Sequence, residues 1–454
     1  MFGIGGMIGG GIFALSGEVA LKAGLGAFLV FTIAGLIALS SGLVYAEFST
    51  KIVGSGGGYT YVSTIFPDFF GFLTGWWFFL AYTLAGAFYA EVFGKYMEAL
   101  TNTPFLLWSI LLAVFFALIN FIGIRESSIA ETALTLFKLL IIAIFIVGGF
   151  LTLNISTVIQ RAEIRMYGSL VMLATVFISF EGFDIISTLS SEMINPTKAA
   201  PKAVVSSILI VTGLYILTVL MVLATIIQYG LPANIMPEEI ILYAAKNAIG
   251  KTGLILLGTG AIVSTISAYN ATLCAASRVG LAMGENKALP RIFKLLHPKT
   301  RTPHASIFLS TFIIISLLVI SNMFLPFEEI SIIFGQLASL FFAFSFSMVD
   351  FSLIIYRNLS HNDSNSFKTP LYPLTPLFGF IGALLIGGIL AIHNLEIFLT
   401  FLFLTIVGTV VYLFLLRKAK SPEEALRIVL NDIIRAKEAL SIREFLESLH
   451  EKKK

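Results

Sequence analysis

Met7-Ile8-Gly9-Gly10-Gly11-Ile12-Phe13 lies inside the first hydrophobic stretch of the chain. Three consecutive glycines cost a helix about 1 kcal/mol each relative to alanine, so a span is expected to break here. In hydrocarbon a break strands N–H and C=O groups, and it is tolerated only where protein or a polar cavity satisfies them. A helix restarting at Gly11-Ile12 points bare N–H groups, the positive end of its dipole, into that cavity. Such an end is a seat for a carboxylate. The alternative is a small-residue face that lets two helices approach closely. The rest of the chain decides between them.

The 454 residues are 57% hydrophobic and 12% charged. Apolar runs of about 20 residues, the length a helix needs to cross a bilayer, recur from end to end. The expected fold is an all-α polytopic membrane protein of about twelve transmembrane helices. They fall at roughly 1–21, 26–48, 66–96, 105–122, 127–151, 168–189, 203–228, 250–276, 305–323, 330–356, 374–393 and 395–416. The single cysteine, Cys274, rules out an intramolecular disulfide framework. The first segment lacks the basic lead of a cleavable signal peptide. Its short run before the glycines suggests a misplaced start or a truncated N-terminus. No exposed basic, aromatic-rich face supports nucleic-acid binding, and neither cofactor nor metal is expected.

Basic residues set the orientation. With a cytoplasmic N-terminus, the inner loops hold Lys51, Arg125, Lys198, Lys202, Arg278, the run Lys287, Arg291, Lys294, Lys299 and Arg301, and Arg357 and Lys368. The outer loops hold fewer, among them Lys22, Lys95, Arg161 and Arg165. That excess is the positive-inside pattern of a multi-pass protein of the cell membrane with both termini in the cytoplasm. After Leu416 the composition turns polar. Ser421-Pro422-Glu423-Glu424 reads as an N-cap, a proline at the first helical position and a capping-box glutamate, and Ser441-Ile442-Arg443-Glu444 repeats the box. Residues 417–454 are expected to form an amphipathic helical tail whose charges face solvent.

A second interruption falls in the sixth segment. Phe177-Ile178-Ser179-Phe180-Glu181-Gly182-Phe183-Asp184 puts a glycine and two carboxylates where a continuous span is apolar. The first and sixth segments each open a block of five. Paired interruptions at corresponding positions of two halves point to a transporter binding site. The organisation expected is a transporter domain over 1–416, with one repeat at about 1–151, a second at about 168–356 and accessory helices at about 374–416.

With both breaks in hand, the chain resembles the amino acid–polyamine–organocation (APC) family of secondary transporters, in particular its lysine-containing, proton-coupled members. The resemblance runs through Gly6-Met7-Ile8-Gly9-Gly10-Gly11-Ile12-Phe13, Tyr45-Ala46-Glu47-Phe48 and Gly56-Gly57-Gly58-Tyr59-Thr60-Tyr61. It continues with Phe180-Glu181-Gly182-Phe183-Asp184, Glu192-Met193-Ile194-Asn195-Pro196, Ser277-Arg278, Leu289-Pro290 and Thr302-Pro303. Each motif alone is weak; their order and spacing are specific. The resemblance implies a five-plus-five inverted repeat with discontinuous first and sixth helices. It implies a substrate carboxylate on the N–H groups of Gly10 and Gly11. The α-amino group would sit on carbonyls of Met7, Ile178, Ser179 and Glu181. The family's usual gate aromatic is replaced here by Ile178, leaving Phe177 or Phe180 as the gate.

Lys138 lies within Leu134–Phe150, an otherwise almost wholly apolar run. A buried ammonium must pair, line a polar cavity or give up its proton, and an intramembrane ionisable residue is a functional candidate. Snorkelling to the surface is the alternative. Lys138 falls where the resemblance puts a lysine in place of a sodium ion. Its ammonium would then touch the Gly5 and Ile8 carbonyls and Ser264 or Thr265 of the eighth helix, making a proton the coupling ion. Glu181 is read either as a substrate or proton ligand or as a structural carboxylate. Glu47 and Asp184 are read as packing and gating groups.

The expected function is amino acid transport, proton-coupled or by exchange. A non-transporting amino acid receptor is the competing class. An intramembrane enzyme is disfavoured: there is no H-E-x-x-H helix, and the five histidines fall in loops, at helix ends or in the tail. The partners expected are a small amino acid, protons and the bilayer, for a monomer or homodimer.

Overall fold

The computed structural model describes residues 1–52, 54–154, 156, 163–232, 235, 239–326, 330–359 and 367–417. The two capping boxes at 421–424 and 441–444 lie outside them. Among the described residues, eleven helices are long and apolar enough to cross a membrane. The difference from twelve has a local cause. The first segment is divided into α1 (Phe2–Met7) and α2 (Gly10–Ala23), each too short to count. Gly9 caps α2 with an extended backbone, φ −100° and ψ −159°, which a continuing helix excludes.

The chain continues through α3 (Gly26–Lys51), the short α4 (Gly58–Ile65), α5 (Asp68–Thr101), α6 (Phe105–Ile122) and α7 (Ile124–Thr152). The sixth segment is α8 (Met166–Val176), a 3₁₀ turn at Phe177–Phe180 and the one-turn α9 (Ile185–Thr188). Then come α10 (Pro196–Tyr229), α11 (Ile240–Glu285), α12 (His304–Phe324), α13 (Ile330–Leu359), α14 (Leu374–His393) and α15 (Leu395–Arg417). The seventh span starts at Pro196 rather than Ala203, because Asn195 in the left-handed conformation caps it and the proline supplies its first residue. The eighth is longer than expected. Gly250, with φ 70°, joins a leading helix to the span proper.

The solvent that selects these faces is hydrocarbon. On α6, Ser109, Ala113, Phe116 and Asn120 point inward, while Leu107, Leu111, Val114 and Leu118 are exposed. A helix in water shows the reverse polarity. Inside, α3 packs on α10 and α5 on both α11 and α13. Small residues bring the backbones close: a Cβ at Gly35 would lie 2.6 Å from Thr212. The two broken segments meet at the centre. Gly182, at φ 124°, sits against the backbone of Gly6 and Met7, where a Cβ would come within 2.8 Å of the Met7 nitrogen. Only glycine combines that φ with that approach.

Candidate functional site

The first break is closed to solvent, with residues 3–11 all buried. No side chain caps the start of α2. Above Gly11 lies the Ser179 hydroxyl, 2.6 Å from where a Cβ would project and without a hydrogen-bond partner. Gly10 faces Thr265, Val92 and Tyr89. A helix N-terminus with an unpaired hydroxyl beside it offers convergent donors to an anion.

The carbonyls of the breaks are largely engaged. Tyr215 of α10 donates to the Met7 carbonyl at 2.5 Å and to the Ser179 carbonyl at 2.8 Å, one hydroxyl spanning both broken segments. The Met7 carbonyl also accepts from Gly9, and Ile178 accepts from the Glu181 N–H. Glu181 itself is buried, and neither carboxylate oxygen meets hydrogen-bonding geometry. Asp184 differs: it accepts from the Gly182 N–H at 3.1 Å and from the Tyr82 hydroxyl, so it braces the second break. The two gate candidates point apart. Phe177 packs on Phe346 of α13, and Phe180 packs between Phe31 and Tyr215.

On the other side of α1, Lys138 is fully buried in α7. Its ammonium donates to the Gly5 carbonyl at 2.7 Å, the Ile8 carbonyl at 2.6 Å and the Ser267 hydroxyl at 2.9 Å. Its eighth-span contact is therefore Ser267, rather than the expected Ser264 or Thr265. Ser264 donates instead to Ile8 at 2.5 Å and Gly9 at 3.2 Å, and the Thr265 hydroxyl turns back to Ile262 of its own helix. Residues 264 and 267 are three apart and share a face of α11; Ser267 is the one level with Nζ.

Three contributors escape the motifs. Glu131, seven residues before Lys138 on the same face of α7, accepts from Ser267 and, at 3.1 Å, from Asn270. Its signal is a carboxylate at two-turn spacing from a membrane lysine, just outside the apolar run read around that lysine. Ser267 follows once the phase of α11 is known. Tyr215 is a lone tyrosine in an apolar span, whose hydroxyl requires a buried partner.

Toward the opposite end of the breaks from α8, charged pairs tie elements together. Glu47 meets Arg357 at 2.5 Å, Lys51 at 2.9 Å and the Thr369 N–H at 2.7 Å, joining α3 to α13 and to the segment before α14. Arg278 of α11 meets Glu192 at 3.3 Å. Beside that pair opens a cavity of about 450 Å³ lined by Ser55, Glu192, Arg278, Glu285, Arg301 and Thr302 among others.

A family model described as "Amino acid permease" matches residues 1–416. The serine/threonine exchanger SteT of Bacillus subtilis is 30% identical over 405 residues, covering 85% of this chain and 88% of the relative. The methylthioribose transporter of the same organism is 28% identical over 439 residues, with 92% of each chain covered. Its branched-chain amino acid permease BcaP is 26% identical over 441 residues, covering 92% and 91%.

Proposed function

The chain belongs to the amino acid permease family, and on that premise we propose that it carries an α-amino acid across the cell membrane together with a proton. The observation that carries the coupling is the Lys138 ammonium on the Gly5 and Ile8 carbonyls at the first break. A positive charge bridging α1 and α11 through α7 ties the two halves as a bound cation does. When the proton leaves, the neutral amine loses most of its hold on those carbonyls.

The substrate carboxylate sits on the Gly10 and Gly11 N–H groups with the Ser179 hydroxyl beside them. The amino group takes the carbonyl positions of Met7, Ile178, Ser179 and Glu181, entering in place of the Tyr215 hydroxyl at Met7 and Ser179. Half-helix N-termini attract the anion, and unwound carbonyls attract the cation. The two breaks belong to an inverted five-plus-five repeat, with the N-terminus in the cytoplasm and Glu47, Arg357, Arg278 and Glu192 at the cytoplasmic side. The opening event is separation of α1 from Lys138.

Exchange is the second reading, favoured by the 30% identity to a serine/threonine exchanger. Radiolabelled uptake into proteoliposomes, run across a panel of amino acids with and without an imposed pH gradient, separates them. Accumulation driven by the pH difference alone supports symport. Uptake that appears only against internal amino acid supports exchange.

A further inference from the structure

Glu131 has no place in the mechanism above, yet it is fully buried and lies on an unbroken donor path from Lys138. Lys138 donates to the Ser267 hydroxyl at 2.9 Å, and that hydroxyl donates onward to Glu131 Oε1. Thr135 donates to the same oxygen at 3.3 Å. Asn270 holds the other oxygen at 3.1 Å, and Asn120 of α6 donates to the Asn270 side-chain Oδ1 at 2.9 Å. The carboxylate is thus fixed from α7 and α11, with α6 bracing Asn270 and Ser267 shared between acid and amine. We propose that Glu131 is the acceptor for the proton that Lys138 releases, reached through Ser267. This inference rests on the proton-coupled reading above.

The step balances. The ammonium passes one proton to the Ser267 oxygen while the Ser267 hydroxyl proton passes to Glu131 Oε1. Lysine ends as an amine, glutamate as a carboxylic acid and serine unchanged. An ammonium and a carboxylate that share one hydroxyl in a low-dielectric interior can trade charge for neutrality, which makes burial cheaper for both.

Among the described residues, the charged surroundings of Glu131 are few. From its own helix the neighbour is Lys138. From α11 it is the Cys274 thiol, and just ahead of α1 the amino group of Met1. Helix α6 holds no ionisable side chain. On α10, Lys198 and Lys202 are exposed, and the Tyr215 hydroxyl is taken by Met7 and Ser179. Lys138 is accordingly the proton source in direct hydrogen-bonded line.

Gly5 ties the acceptor to the moving part. A Cβ at Gly5 would run into the Glu131 carboxylate, so the acid lies flat on the α1 backbone and is sealed by it. Glu131 is two turns nearer the start of α7 than Lys138, on the side assigned to the cytoplasm. Withdrawal of α1 breaks the Gly5 and Ile8 bonds to Lys138 and uncovers Glu131 in one movement. The proton then leaves from the carboxyl while the amine stays inside.

The test uses the full chain in proteoliposomes. Glu131→Gln keeps the size and the Asn270 contact, Ser267→Ala cuts the path, and Ser267→Thr restores a hydroxyl. Counterflow of labelled substrate reports folding and binding, and accumulation under a pH gradient reports coupling. The expected result is retained counterflow with lost accumulation in Glu131→Gln and Ser267→Ala, and accumulation regained in Ser267→Thr. Undiminished pH-driven accumulation in Glu131→Gln overturns the inference. Infrared difference spectra of the purified protein across a pH step read the transfer separately. A protonated-carboxyl C=O band, missing from Glu131→Gln and weakened in Ser267→Ala, supports the relay. A wild-type spectrum without that band overturns it. Should wild type show no pH-driven accumulation, the coupling reading fails, and the infrared band still decides whether Glu131 takes the Lys138 proton.

Discussion

Two polar sites lie on either side of α1, only a turn apart, and they are finished differently. At the start of α2, the helix end has no side-chain cap, and the Ser179 hydroxyl lacks a partner. Around Lys138, ammonium, carbonyls, hydroxyl, carboxylate and amide close into one network. Buried polar groups left open are costly, at about 1–3 kcal/mol each, and a fold retains them where something else fills them. The open site reads as the seat of a ligand that comes and goes. The closed site needs no ligand, and a proton is the one particle that changes it without adding atoms.

The substitution expected to do most damage to this contrast is Gly11→Val. Its side chain would project at the Ser179 hydroxyl and fill the proposed carboxylate seat. Loss of charge-assisted hydrogen bonds of this kind lowers affinity roughly 10- to 100-fold. Scintillation proximity on inserted, purified protein measures it, and wild-type affinity in Gly11→Val removes the seat from consideration.

Lys138→Ala should act on the other site alone. Counterflow is expected to survive while pH-driven accumulation is lost. Leaving Glu131 buried without its partner costs about 3–5 kcal/mol of stability, so the comparison is made at matched reconstitution. If the variant still accumulates substrate when only a pH difference is imposed, Lys138 is not the coupling group and Glu181 becomes the next candidate.

Tyr215→Phe probes the strap that joins the two broken segments. Its hydroxyl is shared by the Met7 and Ser179 carbonyls. Removing it leaves two buried acceptors short of one donor, a loss of about 1–3 kcal/mol. A lowered thermal midpoint without substrate, recovered in part when substrate supplies its amino group, is the expected pattern. An equal drop with and without substrate would mean that the amino group does not reach those carbonyls.

How much of this is readable in the sequence depends on how local the physics is. The break at Gly9–Gly11 is legible because glycine's helix penalty acts within a turn. The interruption at Phe177–Asp184 is legible because carboxylates do not belong in an apolar span. The choice of Ser267 over Ser264 is not legible: it depends on the rotational phase of α11, which its packing on α7 fixes. Glu131 escapes because its importance lies in a partner on another helix. Tyr215 escapes because one tyrosine in an apolar run has no period. The first of the expected spans is not one long helix for a related reason: a segment broken in the middle is two short helices, and neither has the length of a span.

The smallest expected effect is a null one, and it tests the closed site most directly. Sodium should not drive uptake. The seat it would need is formed by the Gly5 and Ile8 carbonyls and the Ser267 hydroxyl, and Lys138 Nζ already stands 2.6 to 2.9 Å from all three. A second unit charge about 4 Å away would be repelled by about 4 kcal/mol at an effective dielectric constant near 20. Uptake measured at clamped pH and voltage should therefore be indifferent to a sodium gradient. Lys138→Ala sharpens the point, since it empties the seat while leaving carbonyls, hydroxyl and the Glu131 carboxylate in place, a set of oxygen ligands suited to a hard cation. Sodium sensitivity gained only in that variant would identify the ammonium as the occupant. Sodium sensitivity in the wild type would mean that a cation binds elsewhere, and the closed network would then be a structural clamp rather than the coupling element.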